Sequence, residues 1–275
     1  MKKLVKITAK KLAMMLSFFV SRTRLTLYLW QLVDTNLHNR YRIIKYADIT
    51  MKFVCPNYVI SSRLESFATK EPQTLRWIES IPFGSNIWDV GANIGLYSVY
   101  AAKRGLHVFA FEPSPLNLRS LTDNFYLNNI QNATIIPLPL NNKVEIAQLD
   151  SSQDFEGASQ ATFMHEVDQF GKTIRPSTSF KTIGVSIDWI VDQGLVPCPD
   201  YIKLDVDGIE HFILQGAGKS LMSVKGILLE VNTVFSEQSE SINNLLETSG
   251  FKLISQESLG SKFMENQIWE KQGGQ

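Results

Sequence analysis

Cysteine is scarce in this sequence, and neither sign of charge predominates. The only cysteines, Cys55 and Cys198, are far apart and both adjoin a proline, so they provide neither a disulfide framework nor the ligand spacing of a zinc site. We expect two reduced thiols and a cytoplasmic location. Lysine and arginine together number 27, as do aspartate and glutamate, so nucleic acid is not an expected partner.

Long hydrophobic runs are also missing. Residues 12–20 are mostly apolar, but a membrane-spanning helix needs roughly 20 apolar residues. Residues 2–24 contain seven lysines and arginines and no acidic residue. We interpret residues 1–37 as one or two helices with a basic face that pack on the folded domain. Peripheral contact with an anionic membrane surface is the alternative. No feature of the sequence indicates an oligomeric state.

The glycine pattern of a nicotinamide-binding turn, G-x-G-x-x-G, is absent. A strand predicted at residues 86–90 leads into Gly91, but Asn93 occupies the position of the second glycine, which allows close approach of a pyrophosphate. The turn from Gly91 to Gly95 therefore favours a nucleoside without phosphates. Glu112 ends the next predicted strand, 21 residues beyond Gly91, where such domains place a carboxylate for the ribose hydroxyls. Alternatively, the glycines make only a βα turn and Glu112 caps a helix.

Strands and helices alternate from residue 85 onwards. This alternation predicts a doubly wound α/β fold with a mostly parallel sheet, closed by an antiparallel strand pair. We divide the chain into an N-terminal helical extension (1–50), a cap or lid segment (51–84) and the α/β domain (85–271).

Two segments interrupt or precede the alternating pattern. In the lid segment, Thr69 is predicted to cap a helix that Pro82 ends. Residues 141–182 are polar and weakly periodic, with short strand fragments. We expect this polar stretch and residues 58–81 to determine which acceptor is bound, since variable loops usually carry specificity.

Several segments of the sequence resemble the FkbM family of methyltransferases. They occur in order within about residues 65–255 and read WDVGANIGLYS, FEPSPLNLRSLTDNFYLN, SIDWI, YIKLDVDGIEHFILQGA and ILLEVN. The resemblance implies a class I methyltransferase (Rossmann-like) fold, S-adenosyl-L-methionine as the methyl donor, and O-methylation of a small-molecule or glycan acceptor. The donor-binding residues that it implies are Asp89, Gly91, Ala92, Asn93, Gly95 and Glu112. We add Asn141, which stands where the family often has an acid.

The same resemblance implies the catalytic residues. Lys203, Asp205 and Glu210 match the family's Lys-x-Asp-x-x-Gly-x-Glu segment. Methyl transfer needs mainly alignment of the acceptor oxygen, and a base that takes the acceptor proton adds about 10²–10⁴-fold. Asp205 is the candidate base, with Lys203 on the same face. Glu210 either orients one of them or serves only as an N-terminal helix acid.

Three alternatives remain open. Lys203 and Asp205 form only a structural ion pair; the chain is a nicotinamide-dependent oxidoreductase on the same general fold; or it is a non-catalytic binding module that keeps the fold. The oxygens of Asp205, Asp207, Glu230 and Asn232 could in principle also bind magnesium. The spacing of these residues does not require a metal, and none is predicted.

Overall fold

The computed structural model describes residues 24–38, 40–151, 153–159, 161–163, 176–206, 208–233, 236–258 and 264–273. Helix α1 (Arg24–His38) comes first, followed by a hairpin of β1 (Tyr41–Tyr46) and β2 (Ile49–Val54). The boundary predicted between residues 50 and 51 falls inside β2. Residues 1–23, which carry most of the predicted basic face, lie outside the described ranges. Within those ranges no helix is long and apolar enough to cross a membrane.

Helix α1 carries an apolar surface that the domain does not cover. Its large apolar side chains are between 41% and 70% exposed: Leu27, Tyr28, Leu29, Trp30, Leu32 and Val33. These side chains are therefore not buried against the α/β domain.

The lid segment forms three short helices. They are α2 (Tyr58–Glu65), α3 (Phe67–Lys70) and α4 (Pro72–Ser80). The predicted helix begins at Pro72, not after Thr69, which lies inside α3. The reason is that a residue before proline is driven out of the helical region, and Glu71 has φ −136° and ψ 64°.

The α/β domain follows with its own helices and strands. The strands are β3 (Asn86–Val90), β4 (His107–Phe111), β5 (Ala133–Ile136), β6 (Glu145–Ser151), β7 (Ala161–Phe163), β8 (Thr178–Gly184), β9 (Tyr201–Leu204), β10 (Gly226–Asn232), β11 (Phe251–Ser258) and β12 (Met264–Lys271). The helices are α5 (Leu96–Lys103), α6 (Pro115–Leu127), α7 (Ile187–Asp192), α8 (Glu210–Gln215) and α9 (Ser236–Thr248), with a 3₁₀ turn at Ser220–Met222.

Seven of these strands form the central sheet, in the order β11-β12-β10-β9-β3-β4-β5. Strands β10, β9, β3, β4 and β5 are parallel, whereas β12 is antiparallel to both β10 and β11. The predicted doubly wound sheet with a terminal antiparallel pair is confirmed. In the polar stretch, β6, β7 and β8 form a separate antiparallel sheet.

Both faces of the central sheet are buried, each against its own apolar cluster. Trp88 and Val90 of β3 pack into one cluster, with α7 to α9 and the small sheet. Ile87 packs into the other, with the hairpin and α2 to α6. This pattern explains why the parallel strands read as continuous apolar runs.

Amide side chains in α6 and at its C-cap fix the hairpin to the domain. Asn124 accepts a hydrogen bond from the backbone N–H of Val54 at 2.8 Å and donates to the carbonyl of Ile94 at 2.7 Å. Asn128 accepts from the backbone N–H of Lys52 at 2.9 Å. The hairpin is thereby tied to the turn after β3, and the lid helices that follow it are brought to the same edge of the sheet.

Candidate functional site

A cavity of about 240 Å³ opens at the carboxyl ends of the parallel strands. Ligands of open α/β sheets bind at this edge. A second cavity of about 60 Å³ adjoins it, and we call the two the large and the small chamber. Gly91, Asn93 and Asp205 line both chambers. The predicted donor turn and the predicted base therefore lie at one site.

The turn after β3 depends on its first glycine for a reason that the sequence did not reveal. Gly91 has a φ of +82°, and a Cβ there would lie 1.9 Å from the carbonyl oxygen of Asp205. The glycine therefore allows the ends of β3 and β9 to come together, in addition to exposing backbone to a ligand. At Gly95 a Cβ would lie 2.4 Å from the side chain of Leu121, so this glycine admits α6. Ala92 is buried and lines the small chamber.

Asn93 holds the turn in place from the position of the missing glycine. Its φ is +52°, a left-handed conformation that asparagine tolerates better than most residues. The side-chain amide donates to the carbonyl of Ala158 at 2.8 Å, and the backbone N–H donates to Glu112 at 2.8 Å. Asn93 thus connects the turn both to the predicted ribose acid and to the segment that covers the cavity.

Glu112 is a buried carboxylate that lines the large chamber. Its Oε2 accepts from the N–H of Asn93, and its Oε1 accepts from the N–H of Ser114 at 2.9 Å. Burial raises the pKa of Glu112 to about 7, although these backbone hydrogen bonds act in the opposite direction. Among the described residues, no cation lies within ion-pair distance of Glu112. Its carboxylate is therefore placed to accept hydrogen bonds from a neutral polar group.

Lys203 forms a buried ion-pair cluster under the floor of the site. Its Nζ lies 3.2 Å from Oδ1 of Asp89 and 3.4 Å from Oδ2 of Asp205. The other oxygen of Asp89 accepts from the hydroxyl of Ser98 at 2.6 Å. Burial lowers the pKa of Lys203, but Asp89 and Asp205 outweigh it and hold the pKa above the usual value. Lys203 is therefore a permanent cation, and it also lies 5.2 Å from the ring centre of Tyr97.

The members of this cluster differ in their access to the chambers. Asp205 is 30% exposed at its side chain and lines both chambers, whereas the side chain of Asp89 is only 4% exposed. Asp89 is not among the residues that line either chamber. Its contacts are those of a counter-ion for Lys203.

Glu210 stabilises the loop that follows β9. Its Oε1 accepts from the backbone N–H groups of Val206 at 3.3 Å and Gly208 at 3.1 Å. Glu210 therefore fixes the backbone on which Asp205 sits. Asp207 lies outside the described residues.

Asn141 lies just behind the wall of the large chamber. It is buried, and its amide donates to Glu145 at 3.0 Å. At this end of the chamber the lining comes from Leu138, Pro139 and Leu140. The role of Asn141 toward the donor stays a prediction.

The lid segment, which is expected to border the acceptor, brings three charged residues to the site, none of them singled out by the sequence analysis. Arg63 and Lys70 line both chambers, and Glu71 lines the small one. Glu71 is 4% exposed and lies 3.0 Å from Lys70 and 3.2 Å from the hydroxyl of Thr74. No local motif in the sequence marks these residues; they reach the site because α2 to α4 pack over the turn.

Arg63 also bridges to the segment that covers the large chamber. Its Nε donates to the carbonyl of Gly157 at 2.8 Å. Asn117 of α6 contacts the same segment, since it accepts from the N–H of Gly157 at 2.9 Å and donates to the carbonyl of Ala158 at 3.1 Å. Ala158, Ser159 and Phe163 then line the large chamber. The lid helices and the polar stretch thus close the site together.

The large chamber is lined by charged residues of both signs, so it can bind neutral polar groups as well as charged ones. Three carboxylates, those of Glu112, Asp205 and Glu230, line the large chamber together with two cations of the lid. No group of three or more histidine, cysteine, aspartate or glutamate side chains in the described ranges is arranged to hold a metal ion. The groups present can bind polyol hydroxyls, hold a positive charge and receive a proton.

Comparison with known proteins gives one family and two curated relatives. Residues 89–253, more than half of the chain, match the family described as Methyltransferase FkbM domain. The hexuronic acid methyltransferase AglP of Haloferax volcanii is 33% identical over 147 residues, or 53% of this chain and 55% of that protein. The chain thus spans about half the length of that relative. The methyltransferase sdnD of Sordaria araneosa is 26% identical over 223 residues, or 71% of this chain and 85% of that protein.

Solved structures show a more distant likeness of fold. Trm5b from Pyrococcus abyssi superposes with a TM-score of 0.47 at 14% identity, over 84% of this chain and 55% of that one.

Proposed function

The chain belongs to the FkbM family of methyltransferases, and on that premise we propose that it transfers a methyl group from S-adenosyl-L-methionine to a hydroxyl group of a sugar, glycan or natural product. The observation that best supports this donor is Glu112, a buried carboxylate in the large chamber without a cationic partner among the described residues. Such a carboxylate suits the two hydroxyls of a ribose and repels a phosphate. This supports a nucleoside donor over a nicotinamide dinucleotide.

The residues present fit this donor. Asn93 and Ser114 fix the carboxylate of Glu112 from both sides, so the ribose would meet a preorganised acceptor of hydrogen bonds. Leu138, Pro139 and Leu140 provide an apolar wall beyond it, which suits the face of an adenine ring. When bound, the donor supplies an electrophilic methyl group on a sulfonium. Gly91, Ala92 and Gly95 serve by shaping the turn that receives it.

Asp205 is the residue that we propose to act on the acceptor. It borders both chambers, and Lys203 holds its carboxylate from below at 3.4 Å. There it would orient the acceptor hydroxyl and receive its proton as the new C–O bond forms. Glu210 keeps the backbone of the loop in position, and Asp89 balances the charge of Lys203.

The acceptor site is proposed to lie between the lid and the small sheet. Leu149 and Phe163 of that sheet line the large chamber, as does Lys70 of the lid. A relative that is a hexuronic acid methyltransferase supports a carbohydrate acceptor. Incubation with the donor and a panel of sugars and uronic acids, read by mass spectrometry, should show one methylene added to an acceptor. Donor binding without turnover on any acceptor would favour a non-catalytic module.

For helix α1 we propose peripheral contact with an anionic membrane surface. The helix exposes large apolar side chains, among them Leu27 at 70% and Trp30 at 52%, and residues 2–24 are basic without an acid. This combination is typical of interfacial helices. Co-sedimentation should occur with vesicles containing phosphatidylserine and should weaken in the Leu27→Ser, Trp30→Ser variant. Equal recovery of both proteins with neutral and anionic vesicles would contradict the proposal.

A further inference from the structure

The small chamber is lined by charged residues of both signs, although it is too small for a sugar. Its volume is about 60 Å³, against about 10–15 Å³ for a single water on the same kind of measure. Arg63, Lys70 and Glu71 of the lid line it on one side, and Lys203 and Asp205 on the other. A ligand group that enters it must therefore be small, and a charged group would find partners of either sign there.

The ion pairs among the residues that line the small chamber show which of their charges are available to a ligand. Lys203 is neutralised by the buried carboxylate of Asp89 at 3.2 Å. Lys70 lies 3.0 Å from Glu71 with half of its side chain exposed, so a second cation could share that carboxylate. Arg63 gives only its Nε to Gly157, and within the described ranges its two terminal nitrogens have no partner. Besides Asp205, which it shares with the large chamber, the small chamber thus offers one guanidinium edge and one buried carboxylate, that of Glu71, whose oxygens also accept from Lys70 and Thr74.

These two groups complement an α-amino acid in its zwitterionic form. A guanidinium presents parallel N–H donors that match a carboxylate, and a buried carboxylate binds an ammonium through charge-assisted hydrogen bonds. Resting on the proposed donor, we infer that the small chamber receives the amino-acid end of S-adenosyl-L-methionine, with Arg63 on its carboxylate and Glu71 on its ammonium. The lid segment is then part of the donor site.

This placement is consistent with the position of Asp205. Glu112, the ribose residue, lies in the large chamber, whereas Arg63 and Glu71 meet in the small one. The sulfur of the donor joins its ribose to its amino-acid end, so it would lie where the chambers meet. Asp205 borders both chambers there, so it would lie close to the methyl group that is transferred.

The test compares ligands that differ only in the amino-acid end. S-adenosylhomocysteine carries it, decarboxylated S-adenosylhomocysteine lacks its carboxylate, and 5′-methylthioadenosine lacks the whole group. Calorimetry should show that Arg63→Met weakens binding of S-adenosylhomocysteine about tenfold or more, as for a lost charge-assisted hydrogen bond. Its affinity for the two truncated ligands should stay within about twofold.

Glu71→Gln should weaken the binding of S-adenosylhomocysteine and of its decarboxylated form to the same extent, and it should leave the binding of 5′-methylthioadenosine unchanged. The matched control is Arg76→Met, because Arg76 lies on α4, pairs with Glu257 at the surface and lines neither chamber. It should leave all three affinities unchanged. Retained binding of 5′-methylthioadenosine also shows that each variant is folded.

Two outcomes would overturn the inference. An equal loss of affinity for all three ligands in Arg63→Met would mean that Arg63 only holds the segment around Gly157. Unchanged affinity for S-adenosylhomocysteine, with a higher KM for the acceptor, would place Arg63 at the acceptor. If the unmodified protein bound none of the three ligands, the proposed function itself would be wrong.

Discussion

Replacing Glu112 by glutamine should weaken donor binding. The free energy of unfolding of this variant, relative to that of the unmodified protein, should increase as the pH rises. Burial raises the pKa of Glu112 to about 7, from 4.5 for a free glutamate. Between these values the folded state holds a proton that the unfolded chain has released. The free energy of unfolding contributed by this group therefore falls as the pH rises from about 4.5 to about 7.

The magnitude follows from the difference between the two pKa values. Each pKa unit corresponds to about 1.4 kcal/mol, so the ionised carboxylate costs the folded state about 3 kcal/mol. About 2 kcal/mol of that cost develops between pH 5 and pH 8. The glutamine amide cannot accept through its nitrogen, so one of the bonds from Asn93 and Ser114 is lost at about 1–3 kcal/mol. That loss is the same at every pH, so it does not alter how the difference in the free energy of unfolding changes with pH.

Urea denaturation of both proteins at a series of pH values from 5 to 8 measures this effect. The free energy of unfolding of Glu112→Gln, relative to that of the unmodified protein, should increase by about 2 kcal/mol over the series. Asn128→Ala is the control, since it removes amide hydrogen bonds but no titratable group, and its difference should not change with pH. A flat difference for Glu112→Gln would refute the raised pKa, and unchanged donor affinity would remove Glu112 from the donor site.

Three further substitutions test the site. Asp205→Asn should bind the donor within a few-fold while turnover falls about 10²-fold or more; a lower melting temperature with near-normal turnover would leave only a structural ion pair. Gly91→Ala should cost at least about 2 kcal/mol in urea denaturation, because its Cβ would strike the carbonyl of Asp205. Gly84→Ala has a similar φ of +79° and open space around it, and an equal loss there would rule out the clash. Lys203→Met should cost about 3–5 kcal/mol by leaving Asp89 buried without a cation, and adding Asp89→Asn should recover part of it; no recovery would contradict the pairing.

The elements that sequence reasoning predicted correctly are those with local signals. The strand before Gly91 and the closing antiparallel pair each carry their own periodicity, and both are present. The FkbM resemblance is confirmed over residues 89–253. Residues 133–140 are mostly apolar, but strand β5 ends at Ile136, because the prolines at 137 and 139 cannot donate to a ladder.

What the sequence did not predict depends on contacts between distant segments. Arg63 and Glu71 have no motif, and they reach the site only because α6 holds the hairpin before them against the turn. The steric role of Gly91 depends likewise on Asp205, which is far away in sequence. The partnership of Asp89 with Lys203 needs the register of two parallel strands, in which these residues lie side by side.

Calorimetric titration of the unmodified protein with S-adenosylhomocysteine tests the central claim most directly. A donor site with Glu112 on the ribose predicts saturable binding at one site per chain, with an affinity that increases as Glu112 ionises from about pH 6 to pH 8. The absence of saturable heat at about millimolar ligand would contradict the assignment of this chain as an S-adenosyl-L-methionine-dependent methyltransferase.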